Sequence, residues 1–225
     1  MRFFRGISVP ASSVEPTILS IRENGLTGEE GRWRMSYNWP GPPDVLFNKK
    51  DLSVKDTRAS EGEPGVCACG EKSGAAYYAW HHNKGDKDTS PIIIEFEADE
   101  SVAAVDGRDF LYTVFQLGDP NRARPILERT FGYAVLRYAE RAWNEKEQSC
   151  RIALCDIAIH DPEVIRAHHA NECVLGGRYS TVFKNAFIIR LPVCPEAILS
   201  VWSPGTAEQL PLPKFKLPDA LPLNR

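Results

Sequence analysis

The feature that most constrains the fold is the segment from Gly65 to Trp80, which reads GVCACGEKSGAAYYAW. Its first residues are small and mildly apolar and end at Gly70, a pattern that predicts a short buried strand closed by a turn. Alanine and aromatic residues dominate the chain after Ser73, so Ser73 is predicted to cap the N-terminus of a helix. A strand, a tight turn and an aromatic-bearing helix can form a flat floor on which a planar heterocycle stacks. The alternative is a packed strand–helix junction with two core tyrosines.

Apolar periodicity predicts most of the remaining elements. The pattern predicts strands at 2–9, 91–97, 172–175, 186–191 and 198–202 and helices at 15–23, 125–143 and 161–167. Residues 107–116 and 151–159 fit either a helix or a strand, because short apolar runs do not distinguish the two. Residues 26–64 form a long polar loop with scattered aromatics, and residues 203–225, with five prolines, are predicted to be an extended tail.

Composition is that of an ordinary globular protein. The chain has 225 residues, is 43% hydrophobic and fits one domain, predicted to span residues 1–202. A net charge of −3 gives no overall electrostatic reason to bind nucleic acid, although a local basic groove is compatible with it. Six cysteines without dense regular spacing indicate reduced thiols. No signal peptide or membrane span is apparent, so a cytoplasmic location is expected.

Two further segments flank this strand–helix motif in the sequence. Phe3-Phe4-Arg5-Gly6-Ile7 lies near the N-terminus, and Asn171-Glu172-Cys173-Val174-Leu175 lies towards the C-terminal end. Taken in this order, the three segments resemble the motifs of the ADP-ribosyltransferase superfamily. The resemblance implies an α+β fold with a split, mostly antiparallel β-sheet and flanking helices.

The resemblance also implies which residues bind NAD, the substrate that donates ADP-ribose in this superfamily. Arg5 matches the Arg or His of the first motif, and Gly6 matches the residue whose backbone meets the nicotinamide amide. Tyr78 matches the tyrosine that stacks on nicotinamide in the poly(ADP-ribose)-polymerase-like branch. Ser73 matches the serine of the same motif. Tyr77, which precedes Tyr78, is a further NAD-binding candidate.

By the same resemblance, Glu172 is the catalytic glutamate, with Arg5 assisting, because apolar residues follow Glu172 at once. Glu147 is a rival, since Glu145-Lys146-Glu147 has the Glu-x-Glu spacing of the toxin branch. Gln148-Ser149-Cys150 follows it, however, so that segment is interpreted as a solvated helix end.

The sequence departs from each branch of the superfamily. Poly-ADP-ribosylating enzymes have His where Arg5 stands, so chain elongation is not implied. The toxin branch usually has Ser-Thr-Ser on its second strand, where this chain has Cys67-Ala68-Cys69, and Glu or Gln where it has Ala170. These departures leave arginine modification without support.

The implied activity is therefore mono-ADP-ribosyl transfer from NAD to a macromolecular acceptor, protein or nucleic acid. Toxins and phage-defence effectors are the implied class, which adds a neutralising antitoxin as an expected partner; no membrane partner is expected. The alternatives are an NAD glycohydrolase and a non-catalytic module that binds NAD or ADP-ribose. A basic-aromatic surface could serve a nucleic-acid acceptor and would contain Arg32, Trp33, Arg34, Arg122, Arg124 and Arg129.

The Cys and His residues raise the separate possibility of a metal site. Cys67, Cys69 and His81-His82 lie close in sequence, and further Cys and His residues cluster between 155 and 173. Neither cluster has paired Cys-x-x-Cys spacing, and adjacent histidines on a helix point apart. The sequence therefore predicts no metal site.

Overall fold

The computed structural model describes residues 1–28, 35–37, 39–57, 62–81, 88–107, 110–178, 181–205 and 209–223. Within these residues the chain is an α+β protein with a large antiparallel sheet, in which six strands follow one another in order and a short seventh strand pairs with one of them, together with eight α-helices and a small mixed sheet. This confirms the predicted α+β class and the mostly antiparallel sheet. The chain divides into two compact units: the first contains residues 1–36, 63–103 and 186–211, and the second contains residues 37–62, 104–185 and 212–225.

The first unit is built on the large sheet. Five of its strands lie there in the order β8-β3-β1-β4-β9, each antiparallel to its neighbours. Their bounds are Arg2–Pro10 for β1, Glu63–Cys69 for β3, Thr89–Glu97 for β4, Ala186–Arg190 for β8 and Ile198–Trp202 for β9. The strands predicted at these places are confirmed. Two short strands lie where the chain passes between the units: β2 is Met35–Tyr37 and β5 is Ala103–Val105.

Strand β1 pairs on both of its edges, and apolar side chains at alternate positions bury one of its faces. Phe3, Ile7 and Val9 are buried, and β1 pairs with β4 along its whole length, from Arg2 opposite Glu97 to Pro10 opposite Thr89. The Phe3 ring stacks on Phe96 and meets Phe187 of β8 edge-on. Aromatic side chains bury large apolar areas, so this cluster supplies much of the cohesion of the first unit.

Two helices complete the first unit, and both were predicted. Helix α1 spans Val14–Asn24 and stops at Gly25, whose φ of 73° suits glycine. Helix α3 spans Lys72–His81. The predicted N-cap at Ser73 is wrong, because the turn after β3 takes only two residues and the chain is already helical at Lys72. The Ser73 hydroxyl instead donates a hydrogen bond to the Glu71 carboxylate.

The second unit is mainly helical, with α2 at Pro43–Phe47, α4 at Leu111–Leu117, α5 at Pro120–Phe131, α6 at Ala134–Asn144, α7 at Gln148–Ala158 and α8 at Pro162–His169. The single helix predicted over 125–143 is wrong. Gly132 has φ 77°, which a right-handed helix does not accept, and a Cβ on it would lie 2.5 Å from the Ala167 Cβ. None of the helices in the described chain has both the length and the apolar surface that crossing a membrane requires.

A three-stranded sheet closes the second unit. Strand β6 (Leu175–Gly176) pairs antiparallel with β7 (Val182–Phe183) and parallel with β10 (Phe215–Lys216). The strand predicted from Glu172 starts only at Leu175, because the Asn171 side chain hydrogen-bonds the Cys173 backbone and folds the chain into a turn. The segment 203–225, which was predicted to be an extended tail, contains β10 and a 3-10 helix at Leu217–Ala220. The division at residue 202 stays a prediction.

Candidate functional site

Strands β1 and β3 stop pairing shortly after they meet. Among the described strand residues, Phe4 opposite Cys69 is the one registered pair between them. Strand β1 nevertheless stays paired with β4 as far as Pro10, and β3 stays paired with β8 as far as Gly65. We call this region, residues 5–10 of β1 and 63–67 of β3, the β1–β3 divergence. Because β8 follows one edge of β3, the short strand β2, which also pairs with β3, lies along the edge that β1 leaves.

Arg5 lies at the start of the divergence. Its side chain is 4% exposed, and its Nη1 donates a hydrogen bond of 2.8 Å to the backbone oxygen of Cys67. A guanidinium keeps its charge in proteins, so burial requires polar partners of this kind. Arg5 therefore reaches across from β1 to β3 at the point where the two strands part.

Gly6 is in direct contact with helix α3. A Cβ on Gly6 would lie 1.9 Å from the backbone oxygen of Ala75 and 2.9 Å from the Ala79 nitrogen. Since successive side chains of a strand point to opposite faces, α3 covers the face of β1 opposite to the one that Arg5 occupies. Close helix–strand packing is thus sufficient to explain a glycine at this position.

Tyr78 lies on the flank of α3 that faces β3. Ala75 and Ala76 pack with Ile93 of β4, and the Lys72 ammonium lies 5.3 Å from the Trp202 ring centre of β9, so this side of α3 faces β4 and β9. Two residues along a helix turn it by about 200°, which directs Tyr78 away from the Ala76 side. The sheet order β3-β1-β4-β9 places that opposite flank towards β3. The half-buried Tyr78 therefore lies on the side of the sheet that α3 covers, and the guanidinium of Arg5 lies on the opposite side.

Ser73 and Tyr77 lie elsewhere on α3. They are four residues apart and share one face, whereas five residues separate Ser73 from Tyr78, which corresponds to about 140° around the helix. The Tyr77 ring stacks on His81 at 4.3 Å between ring centres and meets the Tyr78 ring edge-on at 5.5 Å. Arg5 and Gly6 are thus neighbours in β1 that face opposite sides of the sheet, and Gly6 lies against α3, the helix that carries Tyr78, Ser73 and Tyr77. Their NAD-binding roles stay predictions.

Glu172 belongs to the second unit, so its role is also still a prediction. Its side chain is exposed, but Asn171 and Cys173 on either side of it are buried. The Asn171 side chain accepts a hydrogen bond from the Cys173 N–H at 2.9 Å and donates one to the Cys173 oxygen at 3.2 Å. Nearby, the Asn185 side chain donates to the His169 oxygen at 2.9 Å. Glu172 is thus an exposed carboxylate on a backbone that its neighbours fix.

The rival Glu147 lies in the same unit. It is exposed and immediately precedes α7, and its side chain makes no capping hydrogen bond to that helix. The Glu145–Glu147 segment joins α6 to α7, in agreement with its interpretation as a helix end.

Helix α7 contains a buried, hydrogen-bonded carboxylate that the sequence analysis did not predict. Asp156 is 1% exposed and accepts hydrogen bonds from the Thr57 hydroxyl at 3.1 Å and from the Tyr112 hydroxyl. These bonds join α7 to α4 and to the 3-10 turn at 54–56. The one sequence signal is an acidic residue inside the apolar run 151–159, which indicates a buried and hydrogen-bonded group.

His160 follows this carboxylate and is predicted to make stability depend on pH. Burial lowers the pKa of His160 to about 4, although the hydrogen bond from Nδ1 to the Asp156 oxygen at 2.6 Å acts in the opposite direction. A histidine in the unfolded chain titrates near a pKa of about 6.5, so between these values the unfolded state binds more protons and stability falls as the pH falls.

Lowering the pH from about 6.5 to about 4 should thus remove on the order of 2–3 kcal/mol of stability through His160. Urea unfolding of the wild type and of His160→Gln across this range isolates the effect, because other groups titrate in both proteins. The variant should show the shallower dependence. Two parallel curves would show that His160 is not the source.

The structure also describes most of the Cys and His residues that were considered as metal ligands, and part of the basic-aromatic surface. In the part of the chain that the structure describes, no three Cys, His, Asp or Glu side chains could together hold a metal ion, and His82 lies outside that part. Arg122 donates to the Leu221 oxygen at 2.6 Å and Arg124 pairs with Glu140 at 3.1 Å, so both have protein partners. Residues 32–34 lie outside the described residues.

Comparison with known proteins does not assign a family. No protein-family model, no curated protein and no solved structure matches this chain. The likeness to ADP-ribosyltransferases therefore depends on the three sequence motifs alone.

Proposed function

We propose that the protein transfers a single ADP-ribose unit from NAD to a macromolecular acceptor, protein or nucleic acid. The observation that supports this most is the parting of β1 and β3 at Arg5, with Gly6 next to it in close contact with α3, the helix that carries Tyr78. In this proposal the β1–β3 divergence is the split of an ADP-ribosyltransferase-like sheet and receives the nicotinamide end of NAD.

The chemistry requires few groups. The bond between C1′ of the ribose and the nicotinamide nitrogen breaks through an oxocarbenium-like transition state, and nicotinamide leaves with the bonding electron pair. The acceptor nucleophile then bonds to C1′ and loses its proton. Tyr78 stacks on the planar nicotinamide, and the fixed charge of Arg5 complements the diphosphate. Glu172, in the role that the resemblance gives it, hydrogen-bonds a ribose hydroxyl and stabilises the developing positive charge.

A non-catalytic module that binds NAD or ADP-ribose is the second candidate, and two contacts favour it. The Gly6–α3 contact and the hydrogen bond from Arg5 to Cys67 both contribute to the fold without any bound nucleotide. Residues at these positions could therefore persist in a chain that has no transferase activity.

Incubation with NAD separates these candidates. We expect free nicotinamide to accumulate, and with radiolabelled NAD and cell extract we expect label on a macromolecule. Digestion of the product with protease, RNase or DNase then identifies the acceptor class. Release of nicotinamide without macromolecular label would identify a glycohydrolase, with water as the acceptor. NAD binding without release of nicotinamide would identify the non-catalytic module.

A further inference from the structure

The end of the chain forms part of the same small sheet as the segment after Glu172. We call residues 212–223 the C-terminal strap and residues 171–174 the Glu172 loop. The Lys214 N–H donates a 2.8 Å hydrogen bond to the Val174 oxygen, and β10 then runs parallel to β6. A Cβ on Gly176 would lie 3.2 Å from Lys216 Cγ and 3.4 Å from Pro213 Cβ. The strap therefore packs directly on the chain that leaves the Glu172 loop.

The strap is itself anchored to helix α5. The Arg122 guanidinium donates to the Leu221 oxygen at 2.6 Å, and the Asp119 N–H donates to the Ala220 oxygen at 3.0 Å. Ala220 is fully buried and Leu217 is 5% exposed. The Asp219 carboxylate accepts from the Lys216 N–H at 2.7 Å and closes the turn between β10 and these anchors. The strap thus connects α5 to β6 through a continuous set of hydrogen bonds and buried side chains.

The Glu172 loop is consequently fixed on both sides. Helix α8 and the Asn185–His169 hydrogen bond fix the chain before it, and the strap fixes the chain after it. An exposed side chain on a fixed backbone is a preorganised group, because little conformational freedom is lost when it meets a ligand.

We propose that the C-terminal strap is a positioning element for the Glu172 carboxylate. Detaching the strap should increase the mobility of the Glu172 loop while the rest of the second unit stays folded. The catalytic part of this inference rests on the proposed function, and the effect on loop mobility does not.

The test uses two substitutions that add the same carboxylate to the strap of the full-length protein. Ala220→Asp places a charge at a fully buried position, whereas Leu223→Asp places it at one that is 75% exposed. Amide hydrogen exchange in residues 173–176 and at Lys214 should accelerate about ten-fold or more in Ala220→Asp and remain unchanged in Leu223→Asp. With NAD as substrate, kcat should fall in Ala220→Asp with little change in KM, and Leu223→Asp should match the wild type.

Unchanged exchange in residues 173–176 of a folded Ala220→Asp variant would overturn the inference. Faster exchange with unchanged kcat would overturn the positioning role. If Ala220→Asp does not fold, Arg122→Gln removes one anchor more gently, and Glu128→Gln, at an exposed position on the same helix, is its control. A wild type that releases no nicotinamide would contradict the proposed function, and the exchange data would still decide whether the strap holds the loop.

Discussion

Replacing Glu172 with glutamine should reduce the release of nicotinamide from NAD by about a thousand-fold or more, which corresponds to about 4 kcal/mol of transition-state stabilisation. Glutamine keeps the size of the side chain but removes the negative charge that would stabilise an oxocarbenium-like centre. Because the Glu172 side chain is exposed, the change should leave the fold and the melting temperature as they are. Nicotinamide release measured by chromatography, together with a thermal melt, tests both expectations.

Glu147→Gln is the matched control. Glu147 is also exposed and lies in the same unit, so the same chemical change is made in a comparable environment. We expect this variant to release nicotinamide at the wild-type rate. An inactive Glu147→Gln beside an active Glu172→Gln would reverse the assignment of the two glutamates. Full activity in both variants would show that neither one is the catalytic carboxylate.

The strands of the large sheet were predictable because their side chains alternate or form uninterrupted apolar runs. Phe3, Ile7 and Val9 alternate along β1, and Ile92 to Ile94 are fully buried in β4. Such patterns are local and decide which face of a strand is covered. The helices at 15–23 and 161–167 were equally clear, because Gly25 ends the first and Asp161 caps the second.

The errors have a common physical origin in contacts that the local pattern does not contain. Gly132 interrupts the predicted long helix because its backbone turns to a positive φ where Ala167 of another helix packs closely. The strand predicted from Glu172 gives way to a turn because Asn171 binds its own neighbouring backbone. Apolar periodicity carries no information on either event.

The residues of the candidate site can be selected from the sequence, and their roles in binding NAD stay predictions. Arg5 and Gly6 are adjacent, and Tyr78 follows from the helix after β3, so motif and helical spacing suffice to select them. The partner of Arg5 was not predictable, because Cys67 lies 62 residues away along the chain and contributes its backbone oxygen. The hydrogen bond between Thr57 and Asp156 joins residues 99 positions apart and was missed for the same reason.

Gly6→Ala should destabilise the protein by about 3 kcal/mol or more, or prevent it from folding. The new methyl group would lie 1.9 Å from the Ala75 backbone oxygen, and backbone atoms inside a helix cannot move aside as a flexible side chain can. Helix α3 would have to shift away from β1, and the packing of Ala75 and Ala76 on Ile93 would loosen. Urea unfolding followed by circular dichroism measures the loss. Gly205→Ala is the control, since a Cβ at Gly205 has no neighbour within 4 Å, and its unfolding midpoint should not change.

This comparison separates two reasons for a glycine at position 6. If packing against α3 requires it, Gly6→Ala loses stability whether or not NAD is present, and any loss of NAD binding accompanies the loss of structure. If the approach of NAD to the β1 backbone requires it, Gly6→Ala keeps its stability and binds NAD more weakly. The 1.9 Å contact favours the first reason, because it places helix backbone where the methyl group would have to fit. A stable variant with weakened NAD binding would refute that packing argument and would strengthen the case that the β1–β3 divergence receives the nucleotide.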